Sequence, residues 1–135
     1  MDETTSKHGW NGMRRVAPAV VRIGIALVFL YFGLSQLRDP AQFVGWLPES
    51  VSAIFVDPSF IIVLNGAFEV FFGALLLLGV YTRLSAFLLA AHLAAITFDI
   101  GWGQIGVRDF GLTMAALGIA LYGDDDYTID RFFRK

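Results

Sequence analysis

Four apolar runs, each close to the length of a membrane-crossing helix, constrain this chain more than any other feature. They are "APAVVRIGIALVFLYFGLSQL" at 17–37, "SFIIVLNGAFEVFFGALLLLGV" at 59–80, "LSAFLLAAHLAAITFDIGW" at 84–102 and "VRDFGLTMAALGIALYG" at 107–123. A helix needs about 20 apolar residues to cross a hydrocarbon core about 30 Å thick, and the fourth run sits at the short end of that range. Barrel strands would instead alternate over about ten residues, and no such pattern occurs. With 56% hydrophobic and only 16% charged residues in 135, the chain carries more apolar surface than a soluble domain of this size can bury. The expectation is an all-α integral membrane four-helix bundle, with a polar N-terminal tail at 1–16 and a cytoplasmic C-terminal tail at 124–135.

The first run reads as an anchor rather than a cleaved signal: it is long, and its small residues at 17–19 precede the apolar core instead of following it. Orientation follows from the cations. Lys7, Arg14, Arg15, Arg83, Arg131, Arg134 and Lys135 fall on one side and Arg38 and Arg108 on the other, with Arg22 set aside as intramembrane. Both termini are therefore expected in the cytoplasm and the protein in the plasma membrane. The turn "GVYTR" is short enough to make its two flanking helices antiparallel neighbours. The long connection, roughly 38 to 58, opens on Asp39 and Pro40, a helix-start signal. Its apolar residues Phe43, Trp46, Leu47, Val51, Ile54 and Phe55 suit either an interfacial amphipathic segment or a lid over the bundle mouth. Trp10, Trp46, Trp102, Tyr81 and Tyr122 fall near helix ends, as an aromatic belt does.

Helical periodicity gives each span one polar or small stripe. On the first helix these are Arg22, Ala26, Phe29, Gly33 and Gln36; on the second, Asn65, Gly66, Glu69 and Gly73. On the third they are Ser85, His92 and Asp99, beside Ala86, Ala90 and Ala94; on the fourth, Asp109, Thr113, Ala116 and Ala120. The simplest assembly turns these stripes inward. Glu69 and His92 then lie at similar depth near the middle of the bilayer. An unpaired charge there costs at least about 2.5–3.5 kcal/mol, so Glu69 is expected to be neutral, or paired with Arg22 or His92. Arg22, Asn65, Glu69 and His92 form the candidate intramembrane site; Gln36, Asp99, Arg108 and Asp109 form a second, outer cluster. A purely structural role for Glu69, locking helix register, stands beside a ligand or proton role.

Several chemistries drop out. The chain has no cysteine, which removes disulfides, thiolate metal sites and iron–sulfur ligation. No His pair at metal spacing and no HExxH occurs, so no metal is expected. The letters "GWGQIG" at 101–106 match a dinucleotide fingerprint but lack the preceding strand. Nothing suggests a nucleic-acid partner.

The stretches "VRIGIALVFLYFGLSQLRDPAQF", "FEVFFGALLLLGVYTRLSAFLL" and "RDFGLTMAALGIALYGDDDYTID" together resemble the DoxX-like membrane proteins. The corresponding positions are Arg22, Glu69, Gly73, Arg83 and the ending Tyr127, Thr128, Ile129 and Asp130; the departure is "GDDD" where Gly-Pro-Gly is common. The resemblance implies a small subunit of a membrane, quinone-linked oxidoreductase, with quinone as the possible cofactor and a redox protein as partner. The alternative is a non-enzymatic scaffold or assembly chaperone. At most the chain is a non-catalytic or quinone-interacting subunit of an oxidoreductase, because it has no thiol or metal chemistry of its own.

Overall fold

The computed structural model describes residues 3–52 and 56–134. Their regular structure is all helical, with no strand among them: α1 (Glu3–Arg38), a 3-10 helix (Pro40–Trp46), α2 (Glu49–Ser52), α3 (Pro58–Leu78), α4 (Thr82–Ile100), α5 (Gln104–Tyr122) and α6 (Ile129–Phe133). Four of these, α1, α3, α4 and α5, are long and apolar enough to cross a membrane. They match the four expected spans to within a few residues, except at the start of α1. The polar segment expected as a tail continues the helix back to Glu3 and through Pro18. Apolarity marks where a helix meets lipid, whereas the backbone ladder propagates wherever no strong breaker ends it. At about 1.5 Å per residue, α1 is about 54 Å long, well over the hydrocarbon thickness.

Local chemistry sets the ends of α3. Asp57 accepts a hydrogen bond from the backbone N–H of Ser59 at 2.9 Å, and Pro58 occupies the first turn, where its missing N–H costs nothing. At the other end Gly79 is left-handed, with φ 71°. Its N–H donates to Leu76 and that of Val80 to Leu75, the paired bonds of a Schellman motif. The chain then reverses within three residues into α4, so α3 and α4 are antiparallel, as the short turn predicts.

The bundle is built from two close pairs, α1 on α3 and α4 on α5, joined through α3 and α4. Its core is apolar, around Ile25, Ala26, Phe29, Leu76, Leu89 and Ala90. The tightest approach is between α1 and α3. A Cβ on Gly33 would lie 2.9 Å from the Gly66 carbonyl oxygen, and one on Gly66 would lie 2.8 Å from that of Gly33. The two glycines allow direct backbone contact, as small residues do in lipid.

All five stripe residues of α1 are buried, as are Gly66, Glu69 and Gly73 on α3 and Asp109, Thr113 and Ala116 on α5. The α4 stripe drifts: Ser85 is buried, His92 half-buried and Asp99 exposed, while Ala94 is exposed beside buried Ala86 and Ala90. A seven-residue spacing on a 3.6-residue helix rotates about 20° per repeat, which carries Asp99 out of the interior. Large apolar side chains such as Phe98, Leu121 and Phe71 face outward. Polar groups inside and apolar groups outside suit a surrounding lipid phase.

Gly66→Ala is expected to lower stability by about 1–3 kcal/mol through overpacking, measured by unfolding in mixed micelles. Gly111→Ala, where a Cβ meets nothing within 4 Å, should be neutral or stabilising by up to about 1 kcal/mol.

Candidate functional site

The polar interior divides into two centres. The first is built on Arg22, which is only 2% exposed. Its Nε donates to Asp125 Oδ2 at 2.6 Å, and its Nη1 donates to the carbonyls of Leu76 and Leu77 at 2.9 and 2.6 Å. Its Nη2 reaches Asp125 Oδ1 at 3.4 Å and the Tyr127 carbonyl at 3.5 Å. One guanidinium thus neutralises a carboxylate that is 1% exposed and donates to two carbonyls of the last turn of α3, that of Leu77 and that of Leu76, which also accepts the Gly79 N–H. Asp125 also accepts from the Tyr127 N–H at 2.8 Å, and the Thr128 hydroxyl donates to the Asp125 carbonyl. The Asp130 N–H donates to Gly79, where a Cβ would lie 2.6 Å from Thr128. Arg83, on the first turn of α4, lies against Gly123 and donates to the Tyr122 carbonyl at the end of α5. The segment after α5 is therefore a clasp folded under the bundle, whereas the sequence suggests a plain polar tail there.

Arg22 is consequently not beside Glu69, as expected, but roughly 10 Å away along α3, seven residues at 1.5 Å each. The end of α3 together with Asp125 offers a fuller set of acceptors than a lone carboxylate at mid-helix.

The second centre surrounds Glu69, 4% exposed. Gln36 Nε2 donates to its Oε2 at 3.1 Å, Asn65 Nδ2 donates to its Oε1 at 3.2 Å, and Asn65 Nδ2 also donates to Gln36 Oε1 at 2.6 Å. The three side chains close a ring. His92 Nε2 lies 3.6 Å from Glu69 Oε1 and is buried with no hydrogen-bond partner among the described residues. Its imidazole lies against Phe68, ring centroids 4.7 Å apart. Asn65, Glu69 and His92 thus come together as expected. Gln36 moves from the outer cluster into this one, because the Gly33 and Gly66 contact brings α1 level with Asn65 and Glu69.

Glu69, Gln36 and Asn65 line one end of a mainly apolar cavity of about 220 Å³. Phe29, Phe32, Ile62, Leu93, Ile96 and Leu112 are among its walls, and Asp99, Arg108 and Asp109 share it. Phe43, Trp46, Leu47 and Pro48 of the long connection also line it, as a lid over the bundle mouth would. Ile54 and Phe55 lie outside the described residues. Of the outer cluster, Arg108 and Asp109 pair directly, at 2.7 Å from Nη2 and 2.8 Å from Nε to the same oxygen, Oδ1. The Arg108 guanidinium also sits over the Phe32 ring at 5.5 Å. Asp99, exposed, lies at the edge of the cavity without an ion pair among the described residues.

Sequence reasoning missed Asp125. The signal was the run Asp124, Asp125 and Asp126 just past the last span, close enough to the membrane surface to meet an arginine a turn or so inside it. Replacing Arg22 by Met is expected to cost about 3–5 kcal/mol, because it leaves Asp125 buried and unpaired. Adding Asp125→Leu should recover much of that loss. Thermal unfolding of the wild-type protein and the two variants in detergent measures both effects.

The DoxX family profile matches residues 17–102, more than half of the chain, including Arg22, Gln36, Asn65, Glu69 and His92. No curated relative and no solved structure matches it. On the family match and its four apolar helices, the chain belongs to the DoxX family and is a multi-pass membrane protein.

Proposed function

We propose that this protein is a small integral subunit of a quinone-linked oxidoreductase, set in the plasma membrane with both termini cytoplasmic, and that its lidded cavity receives the ring of a quinone. The cavity is the observation that carries this reading. A dry cavity of about 150 Å³ accommodates a single benzene ring, so about 220 Å³ suits a substituted one. Its walls are largely apolar and its polar groups few, as in small-molecule sites generally. Two groups can donate to carbonyl oxygens there: Gln36, whose amide has a second N–H, and Arg108, whose guanidinium has donors beyond those on Asp109.

A bound quinone supplies two-electron, two-proton redox chemistry. The chain supplies the setting. The apolar walls and the lid exclude water. Asp109 and Phe32 hold the Arg108 guanidinium in place. Glu69 Oε1 can hold a proton beside the cavity, and His92 Nε2, 3.6 Å away, is the next acceptor. Electron carriers come from a redox partner protein, since a chain without cysteine builds no iron–sulfur centre.

The closed ring of Gln36, Asn65 and Glu69 favours a second reading, a scaffold or assembly chaperone in which Glu69 locks α1 to α3. Glu69→Gln separates the two. On the quinone reading the variant folds, while quinone-linked turnover of the purified complex falls by roughly 100-fold or more, the usual scale for losing a positioned acid or base. On the scaffold reading turnover is unchanged, and any effect appears as a stability loss of about 1–3 kcal/mol from the unmatched amide. Arg108→Gln should weaken binding of a short-chain quinone by about tenfold, the equivalent of a charged hydrogen bond worth about 1.5 kcal/mol, measured by titration in detergent. Unchanged affinity would remove Arg108 from the site.

A further inference from the structure

The clasp has an outer face that neither the bundle nor the proposed quinone site uses. Asp126, next to the buried Asp125, is held by two arginines from distant parts of the chain. Arg15 of α1 donates from Nε at 2.5 Å to Oδ2, and Arg131 of α6 pairs through Nη1 with Oδ1. Among the described residues, one carboxylate between two guanidiniums leaves a net positive centre, and both arginines remain open to the surroundings, at 70% and 50% exposure. Arg15, Arg131, Tyr127, Thr128 and Phe132 line a recess of about 350 Å³ around this centre.

Its position in the fold points to its occupant. The recess lies where the apolar part of α1 begins, beneath the ends of α3 and α5, and therefore at the level of lipid headgroups. Phe132 and Phe133 stand 77% and 80% exposed beside it, their rings edge to face with centroids 5.7 Å apart. Tyr127 is 60% exposed. Exposed aromatic rings next to cations are costly in water but favourable at a bilayer surface, where rings enter the acyl boundary and cations meet headgroup phosphates. Arginine suits this role because its planar donors match two phosphate oxygens at once. A soluble anion would account for the arginines but not for the two outward phenyl rings.

We propose that this recess is a binding site for the phosphate of an anionic phospholipid, drawn from the leaflet that meets the termini-bearing end of the bundle. Arg15 and Arg131 grip the phosphate, Asp126 holds the two guanidiniums together, and Phe132 and Phe133 insert beside the acyl chains. Lipid binding then braces the clasp that carries Asp125.

The test is native mass spectrometry of the full chain released from mixed vesicles of phosphatidylglycerol and phosphatidylcholine at equal content. The wild-type protein is expected to retain phosphatidylglycerol preferentially, with the preference falling as salt rises. Arg131→Gln should reduce that preference about fivefold, the equivalent of about 1 kcal/mol for one arginine at a charged surface. Arg38→Gln, at the opposite end of the bundle, should leave it unchanged. Phe132→Ser with Phe133→Ser should weaken retention of the lipid, and millimolar inorganic phosphate should not displace it. Equal retention of the two lipids by the wild-type chain overturns the proposal whether or not any variant folds. So does an Arg131→Gln protein that keeps the full preference. Ready displacement by inorganic phosphate shows a free-anion site and overturns the assignment to lipid.

Discussion

The buried Arg22 guanidinium is the interaction on which the rest of this structure depends. A charge at that depth is tolerated only when its donors are engaged, and the contact it makes joins three separate stretches. α1 carries the cation, the end of α3 supplies two carbonyls, and the segment after α5 supplies a carboxylate. The contact therefore fixes the height of α3 against α1 and draws the chain after α5 back beneath the bundle. A pair of this kind adds little net stability compared with apolar residues of equal volume. Its contribution is selection among arrangements, since sliding α3 along α1 by one turn would strand the arginine.

The second polar centre follows from that register. With α1 and α3 fixed in height, Gly33 meets Gly66, and the absence of side chains at that crossing lets Gln36 reach Glu69. The carboxylate then sits among amide donors on one side, an imidazole on another and an apolar cavity on a third. Neither centre requires the other chemically. They share a backbone frame: the first makes it rigid, and the second uses that rigidity to hold polar groups beside apolar walls. The lid over the cavity, Pro40–Trp46, belongs to a less constrained part of the chain, and none of its residues is fully buried.

The architecture was largely legible before any coordinates, because membrane-length apolar runs allow few alternatives. The inward stripes of α1, α3 and α5 followed from helical periodicity alone. What periodicity could not give was pairing between helices. Arg22 stood beside His92 as one of two possible partners for a charged Glu69, and charge alone does not fix which of them lies at its height. Height depended on where α3 ends and on a carboxylate beyond the last span. Gln36 was placed in the wrong group because the depth of a long side chain depends on how closely two helices approach. That approach is set by glycines whose partners the sequence does not reveal. Asp99 shares a heptad face with His92, yet accumulated rotation turns it outward.

The clasp also has a consequence for biosynthesis. Arg22 and Asp125 are separated by 103 positions, so the arginine enters the membrane long before its carboxylate exists. Through most of translation the first helix carries a cation without its final partner, at a cost of about 2.5–3.5 kcal/mol near mid-bilayer and less toward the surface. The nascent bundle must stay loose, or keep that guanidinium near headgroups, until the segment after α5 emerges. A ribosome that stops early releases four complete spans with a cation that cannot be satisfied. That gives membrane quality control a physical difference between finished and unfinished copies of the same bundle.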